Sequence, residues 1–146
     1  MSMVTITASY TVIPEEPTPQ GCLWLSDMDQ VVRPRHTRTI YIYKPKQNTG
    51  KAIEIKILVH YYPLAGHYCY TRGGRRELNR NAKGAILLEV ETTKTIHDYG
   101  DFSPSDSTME LVPKIDYSQP VEDIPLFLVQ LTKFQNKDEH LAISIA

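Results

Sequence analysis

The sequence predicts an α+β fold built on a mixed β-sheet with few helices. Several short segments are rich in β-branched and aromatic residues or alternate between apolar and polar side chains, which is typical of strands. Only one or two segments are compatible with a helix. The order of these segments lacks the regular strand–helix–strand alternation of α/β proteins, and this favours α+β.

The predicted strands are spread over the whole chain, and most of them end at proline, glycine or asparagine. Gly73-Gly74 separates two of them and indicates a hairpin. Ser26 is predicted to cap one helical turn through Asp29, and turns are predicted at Asn48–Gly50 and Asn136–Glu139. The predicted strands are Met3–Ile13, Thr37–Tyr43, Tyr68–Thr71, Glu77–Leu78, Ala85–Val90, Phe127–Phe134 and His140–Ile145.

The apolar stretch that ends at Tyr62 has two possible structures. Its apolar residues from Ile53 to Tyr61 alternate with Glu54, Lys56 and His60, which indicates a strand, although Leu58 and Tyr62 break the alternation. Ile55, Leu58, Val59 and Tyr62 also fall on one helical face, so periodicity alone leaves both structures open. Pro63 ends the element in either case, and Gly66 is expected to permit the turn that follows.

Composition excludes several classes of protein. The 146 residues are 41% hydrophobic with a formal net charge of -1, which suits one globular domain and gives no general attraction to nucleic acid or anionic membrane. No apolar run approaches the roughly 20 residues that span a bilayer, and the N-terminus has no signal-peptide pattern. Cys22 and Cys69 lie far apart in sequence and match neither a disulfide framework nor a zinc motif. A reducing, cytoplasmic location is predicted.

Six segments, in order along the chain, resemble the plant BAHD family of acyl-CoA-dependent acyltransferases. The similarity is to the N-terminal half of that family, and most of all to its hydroxycinnamoyl transferases, spermidine hydroxycinnamoyl transferase in particular. The segments are PTPQG-LWLSDMDQ (Pro17–Gln30), TIYIYKP (Thr39–Pro45), HYYPLAG (His60–Gly66), DYGDFSPS (Asp98–Ser105), LVPKIDYSQP (Leu111–Pro120) and DIPLFLVQLTKF (Asp123–Phe134).

This resemblance implies a fold similar to the first domain of chloramphenicol acetyltransferase. Residues 1–146 would be the N-terminal part of an acyltransferase domain, truncated, with the second domain absent. The resemblance also implies that the segment ending in YYPLAG is a helix. That helix would be shorter than in typical members by about two turns, or roughly seven residues.

The resemblance also implies a reaction. The family transfers an acyl group, here hydroxycinnamoyl, from its CoA thioester to an amine or hydroxyl acceptor such as spermidine or shikimate. Acyl-CoA is a co-substrate, and no bound cofactor is implied. The family motif HxxxD would follow directly after Ala146 and DFGWG much later, so the fragment would lack both and carry no catalytic residue. His140 has Ser144 at the fourth following position and does not fit HxxxD.

Three residues are predicted to bind substrate by the same resemblance. In hydroxycinnamoyl transferases the strand matching TIYIYKP lines the pocket, so Thr39 and Tyr41, two apart on a strand, would face it together. His36 would lie at the mouth. The alternative is that Tyr41 is a core aromatic and Thr39 an ordinary strand residue. No pair of histidines has the spacing of a metal site, and no metal is predicted.

The remaining predictions concern partners and an alternative function. Small-molecule substrates are expected, with no nucleic acid and no membrane. A basic cluster is expected to be a solvated turn; it comprises Arg72, Arg75, Arg76 and Arg80. The strand Leu141–Ile145 would end in mid-sheet, and its unpaired edge would promote self-association. The alternative function is a non-catalytic remnant that binds a ligand or partner, or a product with no function.

Overall fold

The computed structural model describes residues 4–44, 57–135 and 140–146, and their strands form two sheets. The strands are β1 (Val4–Val12), β2 (Cys22–Trp24), β3 (Thr39–Tyr43), β4 (His67–Tyr70), β5 (Arg76–Asn79), β6 (Ala85–Thr92), β7 (Leu128–Phe134) and β8 (Leu141–Ile145). The α-helices are α1 (Asp27–Val31) and α2 (Ile57–His60). Short 3-10 helices cover Tyr62–Ala65, Ile96–Tyr99, Thr108–Leu111 and Val121–Asp123.

The larger sheet has five strands in the order β1-β6-β7-β8-β3. Strands β6 and β7 are parallel, and the other three pairs are antiparallel. The parallel pair needs a crossover, which residues 93–127 supply through irregular chain and 3-10 turns rather than a long helix. The predicted α+β class with a mixed sheet is therefore confirmed.

Strand β8 lies inside this sheet and is paired on both sides. Leu141–Ile145 pairs with β3 over its full length, and it pairs with β7 on its other side. The prediction of an unpaired edge at Leu141–Ile145 is therefore wrong, because β3, which comes earlier in the chain, pairs with this strand. In the described part of the chain the edges of this sheet are β1 and β3. Self-association itself stays a prediction.

The smaller sheet has three antiparallel strands in the order β2-β5-β4. The predicted hairpin is present: β4 and β5 are joined by a turn in which Gly74 adopts φ 77° and the Gly74 amide donates to the Thr71 carbonyl at 2.9 Å. The predicted cap is present too. The Ser26 hydroxyl accepts from the Asp29 amide, and the Asp29 carboxylate accepts from the Ser26 amide.

Three arginines of the basic cluster bond the segment around β2 and α1 to this hairpin. Arg76 is buried, and its guanidinium donates to the carbonyls of Asp29 and Val32. Arg75 donates to the Leu25 carbonyl at 2.7 Å, and Arg80 donates to the carbonyls of residues 20 and 21. The prediction of a solvated turn is wrong for these three arginines, because carbonyls that have no backbone partner within a helix or a sheet need other donors.

The segment before β4 is helical where the structure describes it. Helix α2 is followed by the 3-10 turn at Tyr62–Ala65, as the resemblance implies. Gly66 has φ -91°, so it is needed for close approach rather than for a left-handed turn. A Cβ there would lie 2.4 Å from the Asn79 carbonyl oxygen. The shortened region before residue 57 and the turns predicted at 48–50 and 136–139 lie outside the described residues.

Two apolar clusters form the core of the described structure. One packs Leu58 and Ala65 of the helical segment against Ala85 at the start of β6. The other joins Tyr99 and Leu111 of the crossover to Phe134 and Ala142 of the larger sheet. None of the helices in the described ranges is long and apolar enough to cross a membrane.

Candidate functional site

A small cleft of about 180 Å³ lies where the end of β8 meets the loop before β3. Ala146 forms part of its wall and is held by a reciprocal pair of 2.9 Å backbone hydrogen bonds with Leu128. Tyr68 of the smaller sheet forms another part. The cleft therefore lies between the two sheets. Its other lining residues are Pro34, Arg35, His36, Thr37, Val121, Ile124 and Leu126.

His36 is fixed in this wall through both ring nitrogens. Nε2 lies 2.7 Å from the carbonyl oxygen of Pro125, so it carries the proton and donates. Nδ1 lies 3.0 Å from the Tyr117 hydroxyl and accepts from it, while the same hydroxyl oxygen accepts from the His36 amide at 3.0 Å. Burial lowers the pKa of His36 below its ordinary value of 6.5, and the Arg38 charge lowers it further. The imidazole is therefore neutral, in one tautomer, at neutral pH.

Tyr117 contacts two residues of the loop before β3, Arg35 and His36. The Arg35 guanidinium lies 5.1 Å from the centre of the Tyr117 ring, within cation–π range. The imidazole of His36 and the same ring are 5.9 Å apart and tilted by 48°. Sequence reasoning missed Tyr117, although it lies in the LVPKIDYSQP segment, because nothing local links it to a residue 81 positions earlier.

Thr39 and Tyr41 lie on the outward face of β3 and do not line the cleft. They alternate with Ile40 and Ile42, which pack on the second core cluster. Tyr41 is 47% exposed, which does not fit the alternative that it is a core aromatic. The structure thus puts His36 in the cleft and the other two residues farther along the same segment. Their role in substrate binding stays a prediction.

The register of β3 puts these two residues beside the end of β8. Thr39 lies opposite Ile145, and Tyr41 lies opposite Ile143. Directly opposed residues on antiparallel strands have Cβ atoms about 5 Å apart and project to the same face. The outward face of β3 and the cleft wall at Ala146 are therefore neighbours.

The pattern HxxxD occurs once in the chain, at His97–Asp101, and its position does not match that of the family motif, which the resemblance puts after Ala146. In the structure His97 is exposed on the 3-10 turn Ile96–Tyr99. The Asp101 carboxylate accepts from the amide and the hydroxyl of Ser103. Neither residue lines the cleft, so this pair is a local turn structure. His140 does not line the cleft either.

Cys22 and Cys69 meet in the smaller sheet. Their sulfur atoms are 3.7 Å apart, although 47 positions separate the two residues. Both are free thiols. Burial and the neighbours Cys22, Glu77 and Glu122 raise the pKa of Cys69 to about 11. The sequence spacing could not show this proximity, because it depends on β5 forming between β2 and β4.

A family model described as Transferase family matches residues 2–146. The chain is 39% identical over 141 residues to hydroxycinnamoyl-CoA:piscidic acid hydroxycinnamoyltransferase of Actaea racemosa, covering 91% of this chain and 32% of that protein. It is 34% identical over 139 residues to shikimate O-hydroxycinnamoyltransferase of Nicotiana tabacum, covering 90% of this chain and 32% of that protein. It is also 36% identical over 151 residues to anthranilate N-benzoyltransferase protein 2 of Dianthus caryophyllus, covering 90% and 34%.

The crystal structure of vinorine synthase has the same fold as this chain. The TM-score is 0.74 at 19% identity, covering 97% of this chain and 37% of that protein. The chain therefore spans about a third of the length of the proteins it resembles. The match to the family model covers nearly every residue, and it agrees with the six motif segments. This chain belongs to the Transferase family, the BAHD acyl-CoA-dependent acyltransferases that its motifs indicate.

Proposed function

We propose that this chain forms one wall of an acyl-CoA-dependent acyltransferase site. The reaction moves an acyl group of the hydroxycinnamoyl class from its CoA thioester to the amine or hydroxyl of a small acceptor such as spermidine or shikimate. The names of the relatives support this class of donor. The observation that carries the proposal is the register of β3. Thr39 is paired with Ile145, and the resemblance expects the general base shortly after this residue, following Ala146.

In the proposed reaction the general base is the histidine of the family motif, which the resemblance puts after the position of Ala146. It accepts the proton of the acceptor as the acceptor nitrogen or oxygen attacks the thioester carbonyl. A C–N or C–O bond forms, the C–S bond breaks, and the CoA sulfur leaves with the proton returned by that histidine. His36 is not this base, because both its ring nitrogens already have partners.

The residues of this chain act by binding and orientation. The half-exposed ring of Tyr41 offers an apolar face against which an aromatic acyl group can stack. His36 and Tyr117 hold the loop before β3 in place, so that Thr39 and Tyr41 keep a fixed position relative to β8. Orientation of this kind supplies up to about 7–11 kcal/mol of a two-substrate reaction barrier.

A chimera tests the proposal. This chain replaces the aligned third of the Actaea racemosa relative, and the product is assayed with p-coumaroyl-CoA and a panel of amines and alcohols. We expect an acylated product of the predicted mass. The isolated chain should give none, because a positioned base contributes about 10²–10⁴-fold and the only histidine among the described residues that line the cleft, His36, has both ring nitrogens occupied. A chimera that melts cooperatively yet makes no product with any acceptor would contradict the proposal.

A second candidate function is non-catalytic binding of an aromatic ligand. The observation that favours it is the fixed, neutral His36 in the cleft, which suits a binding wall better than a reacting group. Calorimetric titration of the isolated chain with p-coumaroyl-CoA distinguishes the two. Binding by the isolated chain together with an inactive, folded chimera would favour this second function.

A further inference from the structure

The smaller sheet presents two thiols and a carboxylate on one face. Cys22 lies on β2, Cys69 on β4 and Glu77 on the strand between them, β5. Cys69 is directly opposite Glu77, and Cys22 is opposite Asn79, two residues along β5. Residues two apart on a strand share a face, as do residues directly opposite each other. The three side chains therefore converge from three strands.

The ligand atoms of this group lie close enough to share one ion. The two sulfurs and a carboxylate oxygen all lie within 4.8 Å of one another. Among the residues that the structure describes, this is the one group of three potential metal ligands with such proximity. Cys22 is exposed and the other two residues are half-buried, so solvent reaches the group from one side.

The sulfur separation matches the geometry of a bound tetrahedral cation. Two thiolates at a Zn–S distance of about 2.3 Å, with a tetrahedral angle between them, lie about 3.8 Å apart. The observed Sγ–Sγ distance is 3.7 Å. The thiols are therefore at the separation that zinc ligation requires, without a shift of the backbone.

A disulfide suits the same pair less well. Strands β2 and β4 both pair with β5 and not with each other, so two strand spacings separate them. Two spacings amount to about 9–10 Å, whereas disulfide-bonded residues have Cα atoms within about 7 Å of each other. The observed Sγ–Sγ distance of 3.7 Å matches a bridging cation, whereas an S–S bond needs about 2.05 Å.

We propose that Cys22, Cys69 and Glu77 bind a thiophilic divalent cation of the Zn²⁺ class. The two thiols each lose a proton to solvent on binding, so that two thiolates and one carboxylate hold the ion. Water occupies the fourth position on the exposed side. The ion ties together three strands of only three or four residues each, and it connects β2 to the β4–β5 hairpin from a distant part of the chain.

The test uses Zn²⁺ and Co²⁺ on the purified chain in a buffer with a non-thiol reductant. We expect one equivalent of Zn²⁺ by competition with a chromogenic chelator, a rise in melting temperature with Zn²⁺, and a Co²⁺ spectrum with thiolate charge transfer. Cys69→Ser and Cys22→Ser each remove one of the two thiolates, so in each variant the charge-transfer band should fall to half or disappear. Glu77→Gln keeps both thiols and should weaken Zn²⁺ binding by at least about tenfold, since even outer-shell changes cost 10–100-fold.

The matched control is Glu91→Gln, which removes an exposed carboxylate from β6 in the other sheet and should leave Zn²⁺ affinity unchanged. Far-UV circular dichroism of each variant verifies the fold. Three results would overturn the proposal: no stoichiometric Zn²⁺ binding, a Co²⁺ spectrum without thiolate bands, or equal loss of affinity in Glu91→Gln and Glu77→Gln.

Discussion

The two sheets of this chain are stabilised by different kinds of interaction. The larger sheet has strands of five to nine residues, and long backbone ladders and two apolar clusters stabilise it. The smaller sheet has strands of three or four residues, and the side chains of Arg75 and the buried Arg76 bond it to backbone carbonyls of the preceding segment. The larger sheet therefore depends on hydrophobic burial, and the smaller depends on the satisfaction of polar groups.

The largest effect is expected at Arg76, because its guanidinium satisfies two carbonyls at the end of α1. Arg76→Ala leaves the carbonyls of Asp29 and Val32 without their donor. Hydrogen bonds to charged groups contribute about 1.5–3 kcal/mol each, so we expect the loss of two such bonds to lower the free energy of unfolding by at least about 3 kcal/mol. Urea denaturation measures it.

Arg72→Ala is the matched control, since Arg72 is exposed in the same basic cluster. It should change the free energy of unfolding by less than about 0.5 kcal/mol. An equal loss in the two variants would mean that charge alone matters, and the contrast between the sheets would fail.

The next effect concerns the close approach of two chain segments at Gly66. Gly66→Ala puts a methyl group 2.4 Å from the Asn79 carbonyl oxygen, on a backbone that cannot move without shifting β5. Overpacking of this kind costs about 1–3 kcal/mol. Gly73→Ala, whose new methyl would lie 3.8 Å from Thr71 Oγ1, should have little effect. Thermal melts of the two variants compare them, and a stable Gly66→Ala protein would contradict the assigned packing.

A smaller, pH-dependent effect is expected at His36. Its pKa in the folded chain lies below the ordinary 6.5, mainly because burial disfavours the imidazolium. The unfolded chain therefore binds the proton more readily, so this contribution to stability is present above pH 6.5 and is lost as pH falls below it.

His36→Gln is the variant that tests this linkage. It should be less stable than the parent by about 1–2 kcal/mol at pH 7.5, since two hydrogen bonds are weakened. The difference should shrink as the pH is lowered. His97→Gln, at an exposed histidine, is the control. Urea denaturation at several pH values measures both, and a difference that grows toward acid pH would contradict the neutral assignment.

Sequence reasoning predicted the larger sheet better than the smaller one. Strands such as Ala85–Thr92 and Leu128–Phe134 carry strong apolar patterns, so they could be recognised without tertiary information. The position of β8 inside the sheet, the burial of Arg76 and the meeting of Cys22 with Cys69 depend on pairing between distant segments. Residue patterns do not encode such pairings directly.

The candidate site also contains both features that could be predicted from the sequence and features that could not. His36 could be placed near the pocket by resemblance, and it does line the cleft. Its partners Tyr117 and Pro125 lie more than 80 positions away and gave no local signal. The outward direction of Thr39 and Tyr41 follows from strand alternation, which the sequence does carry.

The smallest expected effect on stability, and the most direct test of the proposed function, is at Tyr41. In the chimera with the Actaea racemosa relative, Tyr41→Ala is compared with Tyr10→Ala on β1. The two tyrosines are 47% and 49% exposed, so each change should cost less than about 1 kcal/mol of stability. We predict that kcat/KM for p-coumaroyl-CoA falls at least about tenfold for Tyr41→Ala and stays near the parent value for Tyr10→Ala. Equal kcat/KM in the two variants, or a large fall in melting temperature that accounts for the lost activity of Tyr41→Ala, would contradict the claim that the β3 face binds the acyl group.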